Sequence, residues 1–141
     1  MSPRKVFRCG VIGYSPAFNM GKSHLEAMTK NVGMEAVAVC ELNAECQLAA
    51  AADWPEAKIY SRIGDMLRNA DLDLVAVITP HNTHAKIVMQ CLDAKVGVVC
   101  EKPLAITSKE IRAMLALSKK RKVMLSTFHN RRWDSDFLLL R

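Results

Sequence analysis

The chain has 141 residues, of which 50% are hydrophobic and 24% charged, and this balance is typical of one globular domain rather than a disordered segment. No apolar run approaches the roughly 18 residues that span a bilayer, and residues 1–5 lack a signal-peptide core, which predicts a soluble, cytoplasmic protein without membrane partners. The net charge is +6, but apart from residues 119–122 the basic side chains are scattered, so we predict no nucleic-acid partner.

Apolar runs alternate with amphipathic stretches from residue 7 to residue 128. Strands are predicted over residues 7–12, 34–40, 58–60, 72–78, 96–100 and 123–128. Helices are predicted over residues 21–31, 44–52, 62–69, 83–94 and 108–119. Strands that are apolar on both faces and separated by helices of about ten residues indicate a parallel sheet covered on each side. We therefore predict an α/β fold with a doubly wound parallel sheet, its six strands in the order 3-2-1-4-5-6.

Residues 130–141 depart from this alternation. They carry Trp133 and the apolar run 137–140, for which the rest of the sequence offers no burial. We interpret residues 1–129 as a nucleotide-binding domain and residues 130–141 as the start of a connection to a second domain that is absent. The alternative is that this apolar tail pairs two chains in a homo-oligomer.

The turn after the first strand suits a dinucleotide. Such a turn must let backbone N–H groups and a helix N-terminus approach a pyrophosphate, and its usual spacing is Gly-x-Gly-x-x-Gly. Here Ser15 stands in place of the second glycine, and the third arrives three residues late, at Gly21. The cofactor-binding residues predicted in this turn are Gly13, Tyr14, Ser15, Phe18, Asn19 and Met20. An ordinary strand-to-helix loop is the alternative.

Glu41 strengthens the nucleotide prediction. It lies 20 residues after Gly21, at the end of the second predicted strand, where an acidic residue bonds the adenosine ribose hydroxyls of NAD. A carboxylate there repels a 2′-phosphate, and Leu42 offers no compensating cation. Together the turn and Glu41 predict dinucleotide binding, with NAD favoured over NADP.

Residues 79–84 follow the fourth predicted strand, at the point where a doubly wound sheet opens its crevice. We predict that Thr79, Pro80, Asn82 and His84 line the cofactor site, with helix capping as the alternative for Asn82. His81 and His84 have no third ligand of matching spacing, so no metal site is predicted.

Glu101-Lys102-Pro103 follows the fifth predicted strand. It places an amine next to a carboxylate on a rigid proline turn, where a parallel sheet opens onto its ligand. The position favours a functional pair, and a solvated polar loop is the alternative.

Together these motifs resemble the N-terminal, NAD(P)-binding Rossmann domain of the Gfo/Idh/MocA oxidoreductases, the family of glucose-fructose oxidoreductase and inositol dehydrogenase. The resemblance covers essentially the whole chain. The matching segments are residues 9–13, 21–24, 39–41, 78–84, 101–104 and 130–133.

The resemblance implies NAD(P)-dependent oxidation of a sugar, cyclitol or related small hydroxyl compound. It implies that Lys102 contacts the reacting hydroxyl and assists proton transfer, that Pro103 shapes the nicotinamide site and that Glu101 approaches the nicotinamide ribose. Asn130 joins the predicted cofactor-binding residues on the same ground. Full family members carry a second, mainly β-sheet domain with further catalytic residues, so we expect this chain to bind NAD without efficient turnover. The alternative is a non-catalytic NAD-binding module with a regulatory or assembly role.

Overall fold

The computed structural model describes residues 6–140, in which strands and helices alternate. The strands are β1 (Phe7–Ile12), β2 (Met34–Cys40), β3 (Lys58–Tyr60), β4 (Leu74–Val77), β5 (Gly97–Cys100) and β6 (Leu125–Thr127). The helices are α1 (Met20–Thr29), α2 (Ala44–Asp53), α3 (Ile63–Asn69), α4 (His84–Asp93), α5 (Ser108–Arg121) and α6 (Ser135–Leu139). Short 3-10 turns cover His81–Thr83 and Asn130–Trp133. Residues 1–5, where we predict no signal peptide, and residue 141 lie outside the described part.

The six strands form one parallel sheet in the order β3-β2-β1-β4-β5-β6. The predicted fold class and strand order are therefore confirmed. After β3 the chain crosses back to place β4 beside β1, so the winding direction changes between these two strands. A crevice opens at such a switch point, beyond the carboxyl ends of the strands.

Helices cover both faces of the sheet. Leu25 of α1 and Ala50 of α2 pack with Val11 and Val39 on one face. On the other face, residues of α3, α4 and α5 pack against Val75, Val77 and their neighbours. Because β1, β2 and β4 are covered on both faces, their sequences read as apolar runs, apart from Arg8 and Glu35 near the starts of β1 and β2, instead of alternating with polar residues.

The segment after β6 is the most exposed apolar part of the described chain. The exposed fractions of Trp133, Leu139 and Leu140 are 74%, 87% and 90%. Pairing of two chains through this segment, and the domain boundary at residue 129, stay predictions. Within residues 6–140, the helices fall short of the length and apolar character needed to cross a membrane.

Candidate cofactor-binding and active site

A cavity of about 1070 Å³ opens at the carboxyl ends of the central strands, on both sides of the switch point. Its wall contains most of the residues that the sequence predicted for the site, namely Gly13, Tyr14, Ser15, Phe18, Met20, Glu41, Thr79, Pro80, Glu101, Lys102 and Asn130. The predicted residues that lie outside this wall are Asn19, Asn82, His84 and Pro103. The fold therefore brings the turns after β1, β2, β4 and β5 around one space.

Two glycines let the backbone approach itself closely at the start of the cavity. Gly13 has a φ of +101°, and a Cβ atom there would overlap the carbonyl group of Ile78. A Cβ atom on Gly21 would lie 2.8 Å from the Gly13 carbonyl oxygen and 3.0 Å from the Tyr14 ring. Gly21 therefore provides the close helix–strand packing of the third fingerprint glycine, although it comes three residues late.

The turn between these glycines delivers the N-terminus of α1 to the cavity. The Ser15 carbonyl oxygen accepts hydrogen bonds from the N–H groups of Phe18, at 3.2 Å, and Asn19, at 2.9 Å. Asn19 has a φ of 53°, and in the described chain its side chain makes no capping hydrogen bond to α1. The first-turn N–H groups of a helix have no partner within the helix. They are thus available to a phosphate group, which the helix dipole also favours.

Glu41 ties the first two turns together. Its Oε2 accepts a hydrogen bond from the Tyr14 N–H at 2.9 Å, and its Oε1 accepts from the N–H groups of Leu42 at 2.7 Å and Asn43 at 2.8 Å. A carboxylate offers about four lone-pair sites, so one on Oε2 remains for a further donor such as a ribose hydroxyl. The sequence predicted Glu41 as a cofactor-binding residue but did not indicate the backbone N–H groups that donate to it.

Tyr14 is anchored behind the first turn. Its hydroxyl donates a hydrogen bond to Asp53 Oδ2 at 2.6 Å, and Lys22 Nζ lies 3.2 Å from Asp53 Oδ1. The Tyr14 hydroxyl, together with the Lys22 ammonium, lowers the pKa of Asp53. Burial and then the Asp53 carboxylate raise the pKa of Tyr14. Asp53 and Lys22 thus hold Tyr14 in place, a role that the sequence did not reveal.

Glu101 is held by a histidine from α1. Its Oε1 lies 3.0 Å from His24 Nε2, and its Oε2 accepts a hydrogen bond from the Lys102 N–H at 3.2 Å. The side chains of His24 and Glu101 are only 7% and 13% exposed. The ring of Phe128 packs on His24 with its centroid 4.5 Å away. His24 belongs to a segment that matched the family, but the sequence assigned it no role.

Lys102 lies on the cavity wall with its side chain exposed. Within residues 6–140, its amine takes part in no ion pair or hydrogen bond. The peptide bond between Lys102 and Pro103 is cis, and Pro103 is also exposed. The exposed side chain of Lys102 is accessible to a group bound in the cavity.

His84 is fully buried beneath the wall. Its Nδ1 lies 2.8 Å from the Pro103 carbonyl oxygen, and its Nε2 lies 2.8 Å from the Thr79 carbonyl oxygen. The ring thus contacts two backbone carbonyls and does not line the cavity. Asn82 is exposed beside it, and Thr83 takes the N-cap position of α4. In the described residues, no group of three His, Cys, Asp or Glu side chains is placed to hold a metal ion.

The sequence model of the Gfo/Idh/MocA family, described as an oxidoreductase family with an NAD-binding Rossmann fold, matches residues 7–129. The chain belongs to this family. The predicted resemblance is confirmed, and the matched residues have an NAD-binding Rossmann fold.

Relatives and solved structures support the same assignment. YdgJ, an uncharacterized oxidoreductase of Escherichia coli, is 37% identical over 134 residues, which cover 95% of this chain and 37% of YdgJ. Inositol 2-dehydrogenase of Salmonella typhimurium is 30% identical over 137 residues, covering 95% of this chain and 40% of that enzyme. The WlbA dehydrogenase of Bordetella pertussis, solved with NADH and UDP-GlcNAcA, matches with a TM-score of 0.89 and 27% identity, covering 97% of this chain and 41% of WlbA. The chain spans about two fifths of the length of these proteins.

Proposed function

We propose that the chain is the cofactor-binding part of an NAD(P)-dependent oxidoreductase that acts on a hydroxyl group of a sugar, cyclitol or related compound. The observation that carries the proposal is the position of Lys102, an unpaired amine of the described chain on the wall of the same cavity as the glycine turn. The relative named inositol 2-dehydrogenase and the WlbA complex with UDP-GlcNAcA support this substrate class.

The cavity suits the two ends of a dinucleotide. Gly13, Gly21 and the first turn of α1 would form a phosphate cradle, because the close backbone approach at the two glycines brings the first-turn N–H groups of α1 to the cavity. The remaining lone pair of Glu41 would accept a bond from the adenosine ribose, and its charge favours NAD over NADP. The turns at Thr79 and Glu101 would then flank the nicotinamide. When bound, the cofactor supplies the hydride acceptor.

Lys102 would serve as the proton-transfer group. Its neutral amine would take the proton of the substrate hydroxyl, and its ammonium form would return the proton in the reverse direction. Glu101 is already engaged by His24 and by the Lys102 N–H, so its carboxylate leaves the Lys102 amine unpaired in the described chain.

A titration of the 141-residue chain with NADH and with NADPH tests the cofactor assignment. We expect NADH to bind at least about tenfold more tightly, since a 2′-phosphate would approach the Glu41 carboxylate. We expect no sugar-dependent production of NADH, because the chain spans only about two fifths of its relatives and contacts that stabilise the transition state would be missing. Binding of neither nucleotide would overturn the proposal.

Replacement of Lys102 by methionine separates an enzyme from a non-catalytic NAD-binding module. In a full-length enzyme that carries this domain, Lys102→Met should lower turnover by about 100-fold or more, the usual effect of losing a general acid–base group. NADH affinity should stay within about twofold, because the change leaves the phosphate cradle intact. Lys109→Met, at an exposed position in the first turn of α5, is the matched control. Unchanged turnover in Lys102→Met would overturn the role of Lys102, whereas NADH binding without turnover in the wild type would favour the non-catalytic module.

A further inference from the structure

His84 joins two turns that the sheet itself leaves unconnected. β4 and β5 pair in parallel up to Val77 and Cys100, and the Glu101 N–H then donates a hydrogen bond to the Val77 carbonyl at 3.0 Å. Beyond that point, and within the described chain, no backbone hydrogen bond runs between residues 78–80 and residues 101–103. The imidazole of His84 spans this gap, with the Thr79 and Pro103 carbonyl oxygens each 2.8 Å from a ring nitrogen.

The placement of His84 makes this link rigid. The residue is 0% exposed and is the first residue of α4, so both its backbone and its ring are fixed. Both ring nitrogens face carbonyl groups of the cavity turns, and the protonated nitrogen donates a hydrogen bond to the carbonyl oxygen beside it. Since the imidazole ring is flat and inflexible, it fixes the separation of these two carbonyls. A flexible side chain would set that separation less closely.

The Glu101-Lys102-Pro103 turn is therefore held on both sides of its lysine. His24 binds the Glu101 carboxylate, and His84 binds the Pro103 carbonyl. Lys102, between these two anchors, keeps its amine unpaired within the described residues. We propose that His84 is a positioning residue, which fixes the Thr79 turn and the Lys102–Pro103 turn at the distance needed to receive the nicotinamide. This role rests on the proposed function.

A comparison of two ligands isolates this role. NADH carries the nicotinamide that the turns after β4 and β5 would receive, whereas ADP-ribose has the same adenosine, pyrophosphate and second ribose but no nicotinamide. We expect His84→Ala in the 141-residue chain to weaken NADH binding by about tenfold, as for the loss of a buried hydrogen bond to one of the two carbonyls. ADP-ribose binding should stay within about twofold, because the phosphate cradle and Glu41 do not contact His84.

Val88→Ala is the matched control. Val88 lies one turn later on α4, is also 0% exposed and packs in the core, so its truncation destabilises the same helix without cutting the link. We expect it to lower the free energy of unfolding but to leave the ratio of NADH to ADP-ribose affinity unchanged. If His84→Ala does not fold, His84→Gln replaces it, because glutamine retains much of the volume but cannot span both carbonyls. The same loss of NADH affinity, with ADP-ribose affinity kept, is expected.

The outcomes are distinguishable. If the wild-type chain binds neither NADH nor ADP-ribose, the proposed function itself fails. If the wild type binds both, and the His84 variant that folds weakens both equally or weakens neither, the positioning role is overturned. A selective loss of NADH affinity that is absent from Val88→Ala supports it.

Discussion

The two halves of the cavity are built by different means. On the side of β1 and β2, the contacts come from backbone that approaches closely at Gly13 and Gly21, and from N–H groups that bind Glu41. On the side of β4 and β5, two buried imidazoles, His24 and His84, hold the turns in place. The half on the side of β1 and β2, proposed to bind the phosphates, therefore depends on where the backbone can pass. The half on the side of β4 and β5, the proposed reacting half, depends on which side chains are buried behind it.

The largest effect should come from adding a methyl group where the backbone is most crowded. Gly13→Ala forces an L-residue into a φ of +101° and brings its Cβ onto the Ile78 carbonyl. We expect the free energy of unfolding to fall by about 3 kcal/mol or more, from backbone strain plus overpacking, and NADH binding to be lost. Chemical denaturation and an NADH titration measure both.

Gly33→Ala is the control for strain without crowding. Gly33 has a φ of +91°, but a Cβ there would meet no described atom within 4 Å. It should cost only about 1–2 kcal/mol and leave NADH affinity unchanged. If Gly13→Ala costs no more than Gly33→Ala, close backbone approach does not define this half of the cavity.

An intermediate effect is expected at Glu41. Glu41→Gln replaces one carboxylate oxygen by an NH₂ group, which cannot accept from the N–H groups of the turns. We expect a loss of about 1–3 kcal/mol in unfolding free energy, from at least one unsatisfied backbone donor, and about tenfold weaker NADH binding. The preference for NADH over NADPH should narrow, because the repelling charge is gone.

Glu56→Gln removes the same charge at an exposed position and serves as the control for Glu41→Gln. It should change neither stability nor affinity beyond measurement error. An affinity for NADH that survives Glu41→Gln unchanged would show that this carboxylate only braces the turns and does not contact the cofactor.

The smallest effect is a contrast between two tyrosine hydroxyls. Tyr14→Phe removes a hydrogen bond to the Asp53 carboxylate and should lower the unfolding free energy by about 1 kcal/mol. Tyr60→Phe removes a buried hydroxyl that has no hydrogen-bond partner among the described residues, so it should be neutral or slightly stabilising. Thermal or urea unfolding of the two variants gives the comparison. Equal losses would mean that the Tyr14 hydroxyl contributes nothing through Asp53.

The fold was predictable because its strands are buried on both faces. Each strand was predicted to within two residues at either end, since an apolar run bounded by amphipathic stretches leaves few alternatives. Helix α6 was not predicted, because its five residues are too few to show a helical period. The place of Gly13, Gly21 and Glu41 on the cavity wall was also predictable, since it follows from residue type and approximate spacing.

The contacts of the reacting half could not be predicted from sequence. His24 and Glu101 are 77 positions apart, and only the fold, in which α1 packs on β1 and β2 of the same sheet as β5, brings them to 3.0 Å. His84 was predicted to line the site from its place after β4. The partners of its ring nitrogens depend on the distance between the turns after β4 and β5. A sequence pattern does not indicate that distance.

Gly21 approaches the Gly13 carbonyl closely at the base of the first turn. Because Gly21 lies close to the Gly13 carbonyl, residues 14–20 form a loop whose two ends are adjacent. These ends can keep their positions when the loop changes length. Because the entropic cost of lengthening a closed loop grows slowly, insertions and deletions within it should be tolerated. They would reshape the mouth of the cavity while the amide groups of α1 stay in place. A glycine that allows this close approach is therefore the feature to look for in such a turn, ahead of a fixed count of residues.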